Sequence, residues 1–425
     1  MSRLNDLWIP SLAVLVLLMT VAVGAAQTTQ TVRIATFNTS LNRCLNGRNN
    51  PCEPGGLAQI LANPNFPPAR IVAETIQRVA PDIVLLNEFN YDENGTAADL
   101  FQDNFLSVGQ NVSRHPDGPA TPIQYPYRYL APSNTGITSG FDLDNNGTYD
   151  DSPGDGGYGN DSFGYGEFPG RYGMLLLSKY PIATEDVRTF QKFLWRDMPG
   201  ALLPDDAKTA EPNDWYSAAE QGVMRLSSKS HWDVPIRIND QTLHVLASHP
   251  TPPVFDGAED RNGRRNHDEI RLWADYISPE KSGYLQDDAG KQGGLAATDS
   301  FVILGDMNAD PTRGDSVDGA IKQLTEHPRI KSVVPLGASG SDLTATFNLR
   351  VDYVLPSSDL TTVRTEVFWP ERTDPLSALL SASDHRMVWA DVQVSTVPEP
   401  TTCSWSIWLL LLAAHFGVRS RSNRC

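Results

Sequence analysis

Hydrophobic positions along the chain gather in short blocks separated by long polar stretches. In Thr31–Asn38 (TVRIATFN) apolar and polar residues alternate up to a turn-prone asparagine, which is the period of a strand. Asp82–Glu88 (DIVLLNE) is instead an almost unbroken apolar run, as a strand reads when both its faces are buried. Met174–Leu177, Thr242–Ser248, Phe301–Leu304, Val351–Leu355 and Met387–Val394 have the same character and predict further strands. Between them, Ala69–Val79 carries apolar residues at helical spacing and stops before Pro81. His267–Tyr276 shows a stripe at Ile270, Trp273 and Ala274, again a helix. Strands interleaved with helices predict an α/β domain, and no internal repeat interrupts it.

Composition agrees with a folded body. Of the 425 residues, 40% are hydrophobic, enough for a sizeable core in one large domain or two ordinary ones. The 32 glycines and 31 prolines shift the picture towards long irregular loops. The formal net charge of -17 works against tight nucleic-acid binding, because non-specific affinity for polyanions comes from Lys and Arg meeting phosphates. A local basic groove is still compatible with it.

Both ends read as addresses. Arg3 precedes the apolar run Ile9–Ala22 and the small residues Val23, Gly24, Ala25 and Ala26, the layout of a secretory signal peptide over residues 1–26. An uncleaved anchor is the alternative, although the run is short for a span. At the other end, residues 398–425 hold a Pro-Glu-Pro triplet, an apolar stretch from Trp405 to Val418, and Arg419, Arg421 and Arg424. Arginines after an apolar segment keep its tail on the cytoplasmic side. This tail resembles a bacterial PEP-CTERM sorting signal, which implies transient membrane anchoring and cutting by a sorting protease; a permanent anchor is the other reading. The body, residues 27–397, is then expected outside the cytoplasm, at the cell surface, in the periplasm or beyond. Its partners there are the export machinery and that protease. Export also makes a Cys44–Cys52 disulfide compatible with the compartment, closing only a short loop.

Residues 133–170 form a Gly/Asp/Asn-rich insertion with little apolar periodicity. Within it, FDLDNNGTYDD sets Asp142, Asp144 and Asn146 ahead of Gly147, with Asp150 beyond. Alternating oxygen donors before a glycine can wrap Ca²⁺. The bidentate glutamate of an EF-hand is missing, however, since Pro153 stands in its place. A polar, turn-rich surface loop is the competing reading.

The chemistry lies at the strand ends. Asn38 closes the first strand, and Glu88 closes the second. His249 follows LHVLAS, Asp306 and Asn308 follow FVILG, Asp352 sits in LRVDYVL, and Asp384 and His385 in SASDHRMVW. Strand ends of an α/β fold converge on one cleft. Carboxylates and amides gathered there are hard donors suited to Mg²⁺ or Mn²⁺. Two histidines add proton transfer near neutral pH.

In order, TFN, NEF, SHP, GDMN, VDYV and SDH resemble the motif series of the endonuclease/exonuclease/phosphatase superfamily, from about Thr31 to Val394. The resemblance implies a four-layered α/β sandwich, two packed mixed β-sheets flanked by helices. It implies a metal held by Glu88, Asn38 and Asp384, and a water oriented or deprotonated by Asp306 and held by Asn308. It implies that His385 faces the phosphate with Asp352 behind it, and that His249 contacts the phosphate and protonates the leaving group. Arg171 and Tyr172 fall where that family often places a substrate-facing residue.

After His249 the chain departs from the better-known branches. Arg261 and Arg265 stand in RNGRRNHDEIRLW, where guanidinium forks can take phosphate oxygens or pair with Glu259, Asp260, Asp268 and Glu269. No basic stripe interleaved with aromatics is present. The expectation is a monomeric, exported phosphoesterase for a small mono- or diester. The alternatives are a secreted nuclease, a lipid phosphodiesterase, and a catalytically silent calcium-binding surface protein.

Overall fold

A computed structural model of the protein describes residues 28–42 and 53–396. The leader, the Cys44–Cys52 pair and the sorting tail lie outside the described residues. Among the described residues, no helix is long and apolar enough to cross a membrane.

The strands are β1 Thr28–Leu41, β2 Ile83–Phe89, β3 Tyr127–Tyr129, β4 Met174–Ser178, β5 Arg188–Thr189, β6 His231–Ile238, β7 Gln241–Ser248, β8 Phe301–Asp306, β9 Asp352–Pro356, β10 Thr361–Val367 and β11 Val388–Thr396. The helices are α1 Gly56–Leu61, α2 Pro67–Val79, α3 Thr96–Phe101, α4 Ala218–Gln221, α5 Arg261–Tyr276 and α6 Lys322–Thr325. Two mixed sheets result, ordered β10-β11-β1-β2-β4-β3 and β5-β6-β7-β8-β9. Each contains a parallel pair, β1 with β2 and β7 with β8.

The continuous apolar runs are explained by which faces they cover. Ile34, Ile83, Leu85 and Leu176 point from the first sheet into a shared core with Val234, Val245, Val302 and Leu304 of the second. The alternate residues Phe37, Val84, Leu86 and Leu175 face α1, α2 and α3 on the outside. On the far side, Leu246, Ile303 and Leu355 pack against Ile270, Trp273 and Tyr276 of α5. Both faces of the inner strands are dry, so polar positions drop out of them. The molecule is a four-layered α/β sandwich.

α2 also carries a buried carboxylate that braces a loop. Glu74 accepts hydrogen bonds from the Ser113 amide (3.1 Å), the Ser113 hydroxyl (2.5 Å) and the Val112 amide, and pairs with Arg78 (3.1 Å). Burial alone would raise its pKa; the hydrogen bonds from Ser113 and Arg78 outweigh it and hold the group below its ordinary value. A depressed carboxylate stabilises the fold above its unfolded-state pKa, and that contribution fades as pH falls through the folded-state value. Glu74→Gln is therefore expected to cost about 2–4 kcal/mol at pH 7, through unpaired donors and an unpaired Arg78. The gap between wild type and variant should shrink on acidification below about pH 4. Denaturant titrations at pH 7 and pH 3 measure both.

The insertion 133–170 has neither helix nor strand, only isolated bridges such as Thr138 with Ser162. It is tied down by buried Leu143, Tyr158, Phe163 and Phe168.

Candidate active site

The two sheets present their strand ends to one side, and the polar residues converge there. Asp306 ends β8 and is paired in register with Asp352, the first residue of β9. Antiparallel pairing thus sets two carboxylates side by side. Gly305 must be a glycine, because a Cβ there would stand 2.0 Å from the Ser248 carbonyl oxygen of β7. Glu88 and Asn308 both take left-handed backbone conformations, φ 57° and 52°. Such strain in side-chain-bearing residues is typical of sites where position matters more than comfort.

Asp306 is the hub. Its Oδ2 accepts a hydrogen bond from Asn38 Nδ2 at 3.0 Å and lies 3.5 Å from His249 Nε2 and 3.7 Å from His385 Nε2. Its Oδ1 accepts from the Asn308 amide at 3.0 Å. His385 Nδ1 meets Asp352 Oδ2 at 3.0 Å, which fixes the ring. Asn308 Nδ2 donates to the Pro250 carbonyl at 3.1 Å. Glu88 is half-buried and accepts from Asn42 Nδ2 at 2.9 Å. Asp384 is exposed and accepts from Ser40 Oγ at 3.4 Å, further out than the others.

Burial dominates the electrostatics. It pushes Asp306 up to about 6, with Asp352 adding to the effect and His385 and Asn38 opposing it. Burial also raises Glu88. For His385, burial works downwards, but Asp352 and Asp306 outweigh it and lift the imidazole to about 10, so it is cationic at neutral pH. His249 goes the other way: burial, then the charges of Lys229 and His385, hold it well below its usual value and keep it neutral.

A divalent cation fits this donor set. The Asp306–Asp352 carboxylates are crowded in a dry pocket, with half-buried Glu88 at the cavity beside it, and Asp352 Oδ1 is buried with no hydrogen-bond partner. Asp306, Asp352 and His385 present ligand atoms within 4.8 Å of one another. Hard oxygens of this kind are what Mg²⁺ or Mn²⁺ takes.

A cavity of about 480 Å³ opens beside Glu88 and His249. Tyr172, Arg261 and Arg265 line it, but both arginines are occupied. Arg261 is ion-paired with Glu259. Arg265 is committed to structure: its Nε donates to the Leu226 carbonyl, and its Nη2 to those of Phe163 and Arg225. Arg171 pairs with Glu167 and stacks over Tyr172 at 4.6 Å.

The loop with Asp142 and Asp144 gathers differently from the linear pattern. Asp161 joins those two carboxylates, and Asp150 is not among them. Asn146 Oδ1 accepts from the Thr148 amide, while Asp150 contributes its own amide to Asp161. All six carboxylate oxygens accept hydrogen bonds from within the loop. That is how an acidic loop braces itself.

Sequence reasoning missed several supports. Glu269 of α5 accepts from the Ser228 and Thr251 amides, both at 2.6 Å. Asn266 donates to the carbonyls of Thr251 and Met307, at 2.8 and 2.9 Å. One signal was available: Asn266 and Glu269 lie on the same stripe as Ile270 and Trp273, where an amphipathic helix ordinarily places apolar residues. Lys229, buried beside Glu88 and His249, had no sequence signal at all.

A search of curated protein sequences returns no match. Among solved structures, the chain is similar to an endonuclease/exonuclease/phosphatase from Beutenbergia cavernae, with 16% identity, TM-score 0.46, and 87% of this chain and 73% of that one covered. It is similar to the human Nocturnin catalytic domain (11% identity, TM-score 0.44, 87% and 98% covered) and to sphingomyelinase C from Streptomyces griseocarneus (15%, 0.42, 85% and 99%). Likeness at this level does not discriminate between substrates. The sequence profile of the endonuclease/exonuclease/phosphatase family matches residues 35–385, most of the chain. The chain belongs to that family, and it is a hydrolase acting on phosphoester bonds.

Proposed function

We propose that this protein is a Mg²⁺- or Mn²⁺-dependent phosphoesterase that acts outside the cytoplasm on a small phosphoester, by in-line attack of water. The observation that carries this reading is the Asp306 carboxylate, which touches Asn38, His249, His385 and the Asn308 amide at once. A single raised carboxylate at that junction can hold a water, take its proton and aim it.

Glu88 and Asn38, with Asp384 further out, are the residues that would hold the metal. When bound, the metal supplies positive charge to the phosphate oxygens and eases departure of the leaving group. Asp306, held near 6 by burial, is poised to accept the proton of the attacking water. Asn308 orients that water through its amide, itself anchored on Pro250. His385, cationic and locked by Asp352, faces the charge that grows on phosphorus-bound oxygen. His249, neutral before substrate enters, offers an N–H to the phosphate; only a bound anion would raise it enough to make it an acid. The export reading rests on the two ends of the chain, and cell fractionation tests it by asking whether the protein leaves the cytoplasm.

A small substrate is favoured because the cavity, at about 480 Å³, suits one sugar- or nucleoside-sized group. The full-length protein should hydrolyse at least one of p-nitrophenyl phosphate, its bis ester, phytate, plasmid DNA and a sphingomyelin analogue. Turnover should require Mg²⁺ or Mn²⁺ and stop with EDTA. Absence of turnover across that panel and both metals would overturn the proposal.

A further inference from the structure

Lys229 is 6% exposed, yet among the described residues no carboxylate lies within ion-pair distance of it. Its Nζ has one acceptor, the Pro250 carbonyl, at a long 3.4 Å. A buried ammonium carries three donors and is costly to leave unpaired. Two other deeply buried cations are closely partnered by the protein. Arg188 pairs with Asp287 at 2.6 Å, and Arg265 is spent on three carbonyls. Lys229 departs from that practice, and it lines the cavity beside Glu88 and His249.

Its position is fixed from several sides. The Lys229 carbonyl accepts from the Asn134 amide at 2.8 Å, and the preceding Ser228 amide donates to Glu269. Gly164 packs so closely that a Cβ there would stand 1.9 Å from the Ser228 carbonyl oxygen. The Pro250 carbonyl that receives Lys229 Nζ also receives Asn308 Nδ2, so ammonium and amide converge on one point. Next to them, His249 Nδ1 and Thr251 Oγ1 are buried without a hydrogen-bond partner. Buried polar atoms left open beside a cavity are completed by whatever enters it.

We propose that Lys229 is a further catalytic residue, whose ammonium contacts a non-bridging oxygen of the scissile phosphoryl group from the cavity side. This rests on the phosphoesterase reading above. As a point charge in a dry site, the ammonium stabilises the oxygens on which negative charge builds during transfer.

Lys229→Met keeps the apolar stem and removes the charge. Replacing an unpaired buried charge by a side chain of similar size is neutral or stabilising, so Tm should stay level or rise. Meanwhile kcat/KM should fall by about 10²-fold, the inhibition constant for inorganic phosphate should rise roughly tenfold, and the Mn²⁺ activation midpoint should not move. Lys229→Arg should recover part of the phosphate affinity. A purely structural lysine would lose activity and Tm together and leave phosphate inhibition of the residual activity unchanged. That outcome overturns the inference, as does wild-type kcat/KM in Lys229→Met. If the wild type turns over no phosphoester, the functional reading falls, and calorimetric phosphate binding then decides Lys229. Equal affinity in wild type and Lys229→Met, or no binding by either, overturns it.

Discussion

Asp306→Asn is expected to lower kcat by about 10³-fold or more on any phosphoester the protein hydrolyses, with KM changing far less. The substitution is nearly isosteric, but its single carbonyl oxygen can keep only one of the contacts to Asn38 Nδ2 and the Asn308 amide, which use different oxygens of Asp306. What disappears is the capacity to accept a proton and the negative charge that His385 and His249 face. The same loss removes one of the three carboxylates that hold His385 high, so its pKa should drop towards the ordinary range; Asp352 remains as its partner. NMR titration of the imidazole reports this without any need for turnover. A variant with wild-type kcat, or an unmoved His385 titration, would contradict the assignment of Asp306 as hub.

Glu88→Gln should be comparably severe but with a different signature. Removing the carboxylate weakens a hard-cation site without touching the Asp306–His385–Asp352 group, so the activity lost at low metal should return in part at high Mn²⁺. We expect the metal midpoint to move by roughly tenfold or more, and kcat at saturating metal to remain well below wild type. Activity measured over a wide range of Mn²⁺ concentrations checks it. An unchanged midpoint would place the metal elsewhere, with the Asp306–Asp352–His385 group the obvious alternative. The two variants therefore separate proton handling from metal holding, which the static geometry brings within a few ångströms.

Much of this architecture was legible because burial writes itself into composition. The runs IVLLN, MLLL and FVIL stand out because both their faces are covered, and the motif residues stand at the ends of apolar runs: Glu88 and Asp306 close theirs, while Asp352, Asp384 and His385 lead into theirs. The strands that went unread are those without that signature. β3 and β5 are three and two residues long, and β10 lies at a sheet edge with most of its residues exposed or half-exposed. β6 contains Asp233 and Pro235, both ordinarily signs against a strand interior. Asp233 is tolerated because His244 and the Tyr276 hydroxyl pair with it at 2.8 and 2.6 Å. α5 begins at Arg261, six residues before the apolar stripe predicts, because its first turns are largely polar. In the site, Asp161 and Lys229 were invisible for one reason: each joins its neighbours through folding across long separations, and no local period marks it.

The order of the strands has a consequence for the protein's birth. β11 is the last described strand, yet it lies beside β1, the first, and the segment leading into it supplies Asp384 and His385. A chain still emerging from the ribosome therefore carries Glu88, His249 and Asp306 long before it can assemble a working centre. Catalysis begins only when the final hairpin of β10 and β11 closes back on the opening strand. On the proposed export route, a polypeptide threaded across a membrane before that closure would be a dormant hydrolase, harmless to the phosphoesters of the compartment that made it.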